Sequence, residues 1–274
     1  MEKEQLTPLQ SRLLVMMEWF HKFCEDNNLR YYVLGGTMLG AARHQGFIPW
    51  DDDIDVGMPR KDYKKLAELL GDNIVEGYQL ETPYTEATDF CYPYSKFFDT
   101  TTTLVENYKK PFKRGIFLDI FPLDGLADTE QEAKNAFQPI LRTYNFFMTR
   151  VVAIRKERKW YKNLAVLLSQ AIPKMVIDNR KLRVKMDQMI AGKDFDALKW
   201  GGNLYGNWGF KEIMPREIYG EPTIYQFENL NVYGVEKYDE YLKHMYGDWK
   251  KLPPKEKQIT HHDYLEFSLE KSYK

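Results

Sequence analysis

Four aspartates fall within five positions, Asp51, Asp52, Asp53 and Asp55, and are interleaved with the β-branched Ile54 and Val56. In an extended strand side chains alternate between faces, so Asp53 and Asp55 project to one side. Two ionised carboxylates held side by side repel each other unless a cation lies between them. A ligand set made only of oxygen suits Mg2+ or Mn2+ better than zinc, and Asp53 and Asp55 are preferred here over Asp51 and Asp52. A calcium-loop reading fails, because Val56 and Asp62 stand where that loop needs glycine and glutamate. Upstream, Gly35 and Gly36 would let a phosphate approach the backbone. A helix opening at Thr37, with the hydroxyl as its cap, would offer free N–H groups and a positive dipole end to that anion. Asp119 sits inside the apolar run of residues 115–121, where it needs a hydrogen-bond partner or a metal. Asp124, second choice as an acid, is explained by a turn at residues 122–125. The chemistry suggested is that of a metal-bound, phosphate-bearing ligand.

These residues need elements to hold them. Residues 31–34 read as a buried strand stopped by the glycine pair. Thr7 and Pro8 open a helix with Leu9, Leu13, Met16, Met17, Phe20 and Phe23 on its apolar face, ending near residues 27–28. A second helix spans residues 60–70, with Tyr63, Leu66, Leu69 and Leu70 buried, and stops at Gly71. Residues 77–82 and 90–98 read as strands, the latter restricted to an edge or bulge by Pro93. Lys96, after that aromatic run, either reaches a phosphate or is an exposed strand lysine. From residue 129 to about 191 the periodicity is helical, broken near Pro139 and Pro173. Between residues 150 and 185 eleven Lys and Arg face only Glu157 and Asp178, interleaved with an apolar part from Trp160 to Ile177. Such a segment can lie on an anionic membrane, and its alternative is a solvated face over a core. Trp200, Tyr205 and Trp208 either belong to the core or offer rings to a base or a cation. Residues 225–232 suggest a hairpin and residues 235–246 a short helix. His261, His262 and Asp263 support the fold or the acceptor side, since adjacent histidines seldom converge on one ion.

The 274 residues, 43% of them hydrophobic and 15% aromatic, can bury a real core, and a formal charge of −1 marks no nucleic-acid binder. Cys24 and Cys91 are the two cysteines and suit buried positions in a reducing compartment. No signal peptide is recognisable at the start, and no run approaches the roughly 18 apolar residues of a membrane span. The expectation is a cytoplasmic protein that can meet the inner face of the cell membrane through its basic segment.

From Leu34 to Met58 the sequence LGGTMLGAARHQGFIPWDDDIDVGM resembles the LicD family of phosphocholine transferases, relatives of the fukutin-type enzymes within the nucleotidyltransferase superfamily. Residues 245–254, with the histidines after them, are similar to LicD sequences too. The resemblance implies an α+β fold: a nucleotidyltransferase-like mixed sheet flanked by helices, with a helical insertion. Its division would be a catalytic core at residues 1–128, a basic helical insertion at 129–199 and a C-terminal part at 200–274 that completes the catalytic domain and the acceptor side. It makes Asp119 the third acid beside Asp53 and Asp55 on Mg2+ or Mn2+. It implies CDP-choline as donor and a cell-surface glycan as acceptor, such as a teichoic acid or lipopolysaccharide precursor, lipid-linked where the glycan is carried on lipid. Gly35, Gly36 and Thr37 would cradle phosphate, Arg43 with Lys96 would neutralise it, His44 would assist, and Trp50 would join an aromatic cage for choline. The gap from Gly36 to Asp53 is longer than the minimal superfamily signature has, and the LicD-like match accounts for it. The rivals are a glycosyltransferase using a UDP-sugar, a transferase of another CDP-alcohol such as CDP-ribitol or CDP-glycerol, and a binding module without catalysis.

Overall fold

The computed structural model describes residues 5–85, 91–190, 192–260 and 262–274, and the fold is α+β. Helix α1 (Pro8–Asp26) opens with a reciprocal cap between Thr7 and Gln10 and buries Leu13, Met16, Met17, Phe20 and Cys24. After β1 (Tyr32–Val33) come α2 (Gly35–His44), β2 (Asp55–Pro59) and α3 (Arg60–Leu70). In α3 Tyr63, Leu66 and Leu70 are buried as expected, but Leu69 faces outward. Strands β3 (Ile74–Val75), β4 (Tyr78–Glu81), β5 (Ser95–Asp99), β6 (Thr103–Glu106), β7 (Phe112–Arg114) and β8 (Phe117–Ala127) follow. The strand expected over residues 90–98 begins only at Ser95, beyond Pro93; Phe90 lies outside the described residues.

Three helices come next, α4 (Glu130–Val151), α5 (Trp160–Ala171) and α6 (Asn179–Ile190). The break expected at Pro139 does not occur, because Phe137, Ile140, Tyr144 and Phe147 bury one face of α4 and hold it helical across the proline. The break near Pro173 does occur. Strands β9 (Trp200–Asn203), β10 (Ile213–Pro215), β11 (Thr223–Phe227) and β12 (Leu230–Gly234), then α7 (Tyr238–Tyr246) and β13 (Tyr264–Ser268), complete the order.

The main sheet runs β11-β12-β1-β2-β8-β5-β4-β3, with β9 on the far part of β8 and β10 on β9. It is mixed: β1 pairs with β12, and β2 with β8, in parallel, while the other pairings are antiparallel. The parallel partners of β1 and β2 come from far along the chain, so segments distant in sequence meet at the sheet centre. A separate sheet of β13, β6 and β7 lies beside it. The turn expected at residues 122–125 is instead the interior of β8. Asp124 is fully buried and accepts two bonds from Arg60, at 2.8 and 2.6 Å, so its carboxylate needs no turn to satisfy it. Arg60 also pairs with Asp187 of α6, which ties the helical segment to the sheet. Among the described residues no helix is long and apolar enough to cross a membrane.

Candidate active site

The site is built where β1 hands the chain to α2. Gly35 adopts a positive φ of 52°, a conformation that lets the helix begin at once, and its N–H donates to the Tyr241 hydroxyl of α7 at 3.0 Å. The helix therefore starts two residues before Thr37, and Leu34 occupies the cap without a side-chain bond. Thr37 is not the cap: its hydroxyl accepts the Asp55 N–H at 2.9 Å and fixes the start of β2. The carboxylates stand over this helix end. A Cβ on Gly36 would lie 2.6 Å from Asp51 Oδ2, and one on Gly35 would lie 3.1 Å from Asp55 Oδ2. Both positions thus leave room for carboxylate oxygens that a side chain would displace. The buried Gln10 side chain of α1 holds the aspartate loop from behind, donating to the Asp51 carbonyl at 2.9 Å.

Register aligns the acids further. Asp55 of β2 is directly paired with Asp119 of β8, which is directly paired with Lys96 of β5, so the three side chains share one face. Asp119 Oδ1 lies 2.7 Å from Lys96 Nζ, the partner that its position in an apolar strand requires. Lys96 is buried rather than exposed, 3.2 Å above the Phe117 ring centre and 4.1 Å from that of Tyr92. Its ammonium is already committed to Asp119 instead of reaching outward for a phosphate.

The segment just before the last strand adds a residue that the spacing did not bring forward. Pairing of β13 with β6 brings His262 to the aspartates, with Nδ1 2.7 Å from Asp52 and Nε2 3.6 Å from Asp53. Asp52, Asp53 and His262 are the described residues whose ligand atoms lie within 4.8 Å of one another; Asp55 and Asp119 stand outside that group. His261 lies outside the described residues. Two hundred and ten positions separate His262 from Asp52, and no local pattern announces such a contact. Similarity of the preceding segment to LicD sequences was the available signal.

Electrostatics divide these groups. Burial pushes Asp51 up to about 8, helped by Asp53 and Asp52. Burial and the charges of Asp53, Asp119 and Asp51 push Asp55 well above the carboxylate range. For Asp119 burial outweighs the pull of Lys96 and leaves it at about 6. Burial opposes the charged forms of both Asp52 and His262, yet their hydrogen bond overcomes it, lowering Asp52 and raising His262 to about 9. At neutral pH His262 is therefore an imidazolium. Ionising Asp51 and Asp55 beside Asp53 and Asp119 is opposed by burial and mutual repulsion, and a divalent ion is the kind of group that would relieve that penalty.

The remaining sequence candidates are dispersed. Arg43 and His44 sit in the last turn of α2, roughly 12 Å of helix rise from Gly35, and Arg43 donates to the Trp249 carbonyl and to His44. Trp50 is half-buried against the core. Tyr205 is core, whereas Trp208 is 49% exposed and meets Tyr246 edge to face at 5.5 Å. The Tyr246 hydroxyl is in turn 3.8 Å from where a Gly35 Cβ would be. Trp208 and Tyr246 thus form an aromatic wall by the glycine turn.

Glu212 lies behind that wall. It is buried, accepts the Trp208 N–H at 3.3 Å, and burial pushes it up to about 7. A carboxyl raised from its ordinary 4.5 costs stability as pH climbs from 4.5 through 7, since the unfolded chain gives up its proton first. Glu212→Gln is expected to unfold about 1–3 kcal/mol harder than the wild type at pH 8, an advantage that vanishes near pH 4. Denaturant titrations at the two pH values check this, and equal midpoints at pH 8 would contradict it.

The sequence matches known proteins. Residues 28–149 match the family model described as LicD/FKTN/FKRP, nucleotidyltransferase domain. The chain is 31% identical over 269 residues to the lipopolysaccharide cholinephosphotransferase LicD of Haemophilus influenzae, covering 96% of this chain and 97% of that protein. Human ribitol 5-phosphate transferase FKRP is 45% identical over 47 residues, 17% of this chain and 10% of the human protein. The mannosyltransferase regulator 4 of Saccharomyces cerevisiae is 30% identical over 66 residues, 24% of this chain and 6% of the yeast protein.

Proposed function

The chain belongs to the LicD family, and on that premise we propose that it transfers phosphocholine from CDP-choline to a hydroxyl of a cell-surface glycan, releasing CMP. The observation that carries this reading is the set of half-buried, mutually repelling carboxylates at the N-terminus of α2. Asp53 and Asp55 are the residues that would hold Mg2+ or Mn2+, because His262 already neutralises Asp52 and Lys96 already pairs with Asp119. When bound, such an ion would offset the negative charge of the diphosphate and of the departing CMP.

The chain's own groups supply the rest. The free N–H groups and dipole of α2 at Gly36 and Thr37 bind phosphate oxygens, and the imidazolium of His262 adds a positive charge on the aspartate side. With its proton held up to about pH 9, His262 is no base near neutrality. Asp119 is assigned that role: held near 6 by burial, it can take the acceptor's proton as the hydroxyl oxygen bonds to the choline-bearing phosphorus and the bond to CMP breaks. Trp208 and Tyr246 present ring faces to the quaternary ammonium, which has no hydrogen-bond donor and is recognised by cation–π attraction.

Thermal-shift titration with CDP-choline, CDP-ribitol, CDP-glycerol and UDP-sugars, each with and without Mg2+, is the first test. CDP-choline is expected to raise the melting temperature most and only with the metal present, and CMP is expected to appear once a glycan acceptor is added. Preference for a UDP-sugar would instead identify a glycosyltransferase. Binding of CDP-choline with no CMP released from any acceptor would identify a non-catalytic module.

A further inference from the structure

Helix α5 carries its apolar face outward. Val166 and Ser169 are its buried residues, whereas Trp160, Leu164, Leu167 and Leu168 align on the opposite side at helical spacing and are exposed, Trp160 by 76% and Leu168 by 63%. The turn after it continues the surface with Met175, 99% exposed, and Val176. A solvated polar face over a core, the alternative for this segment, therefore does not describe α5. A contiguous apolar patch of this kind marks a contact surface. Its border is cationic, with Arg155, Lys156, Lys159, Lys162, Lys174 and Arg180 all exposed and Glu157 the exposed acid among them.

We propose that α5 and the turn at residues 172–177 dock this protein on an anionic phospholipid bilayer. Trp160 and the leucines enter the boundary between headgroups and acyl chains, and the lysines and arginines meet the lipid phosphates. The charge decides the occupant. A second copy laid on the stripe would oppose one cationic border to another, whereas an anionic membrane complements the apolar centre and the rim together. Behind the docked face lies a cavity of about 500 Å3, bordered by Gln170, Ala171, Pro173 and Lys174 and also lined by Lys109 and Lys110, so a basic recess lies beside the membrane surface. The proposal rests on this surface and not on the reaction proposed above.

The test is co-sedimentation of the full chain with phosphatidylglycerol-containing vesicles and with pure phosphatidylcholine vesicles. Wild-type protein is expected to pellet with the anionic vesicles only and to be released by salt. The paired changes Leu164→Glu with Leu168→Glu, and separately Lys159→Glu with Lys162→Glu, are expected to weaken binding about tenfold or more, with melting temperatures unchanged because all four side chains are exposed. Failure to pellet with either vesicle, equal pelleting with both, or unaltered binding of both paired variants overturns the proposal. So does self-association in sedimentation velocity that the Leu164→Glu, Leu168→Glu pair abolishes while vesicles stay unbound. Because the readout is binding, none of these outcomes bears on CDP-choline turnover.

Discussion

Asp55→Asn is expected to lose about 10³-fold or more of CMP release from CDP-choline while melting no lower than the wild type when no divalent ion is added. The two halves of this result have one cause. Asp55 sits in direct register with Asp119, next to the Gly35 turn, and burial together with the neighbouring aspartates raises it well above the carboxylate range. Its ionised form is thus disfavoured by the fold and has a purpose only when a cation joins it. Asparagine keeps the shape and removes the charge, so a destabilising burden and the proposed metal ligand disappear together. The decisive measurements are a CMP-release assay and a thermal melt on one preparation. Activity within tenfold of wild type would remove Asp55 from the metal site, and a large fall in melting temperature would make it a structural residue.

The second large effect lies away from the chemistry. Asp124→Ala is expected to cost about 3–5 kcal/mol of unfolding free energy, because it strands the Arg60 guanidinium in the interior with Asp187 alone to balance it. Burial opposes the arginine's charge and Asp124 and Asp187 offset it; an arginine does not deprotonate in a protein even when it loses a partner, so it cannot relieve the loss by giving up a proton. Urea unfolding followed by tryptophan fluorescence reads this directly. A loss below about 1 kcal/mol would place the pair among interactions of surface strength.

What the sequence disclosed follows the range over which its signals act. The cap at Thr7, the strand into Gly35 and the hairpin near residues 225–232 are written in neighbouring residues, and each appears in the fold, whereas the strand expected to carry Asp53 together with Asp55 begins only at Asp55. The helix starts two residues ahead of Thr37 because Gly35 turns left-handed and makes a threonine cap unnecessary. Pro139 reads as a breaker in isolation and is overruled by the buried face of α4. Asp124 reads locally as a turn residue because its partner Arg60 lies 64 positions away in sequence. Lys96 was recognisable as a cation but not as a buried one, since its burial depends on β8 and on the rings of Phe117 and Tyr92. His262, Trp208 and Tyr246 reach the site by tertiary packing alone. Gly35, Gly36 and the aspartates form a local constellation, whereas the groups that set its electrostatics are long-range.

The pairing of β1 with β12 and of His262 with Asp52 has a consequence for the life of the molecule. The strand leading into Gly35 is translated early, but its parallel partner emerges about 200 residues later and the histidine later still. At ordinary synthesis rates of roughly 5–20 residues per second, the aspartate loop waits on the order of 10–40 s for them. A nascent chain therefore holds the acids without their counter-charge and without a completed sheet. On the ribosome the aspartate loop lacks His262, and the sheet beside it lacks β12, until the C-terminal segments emerge and close over the first strand.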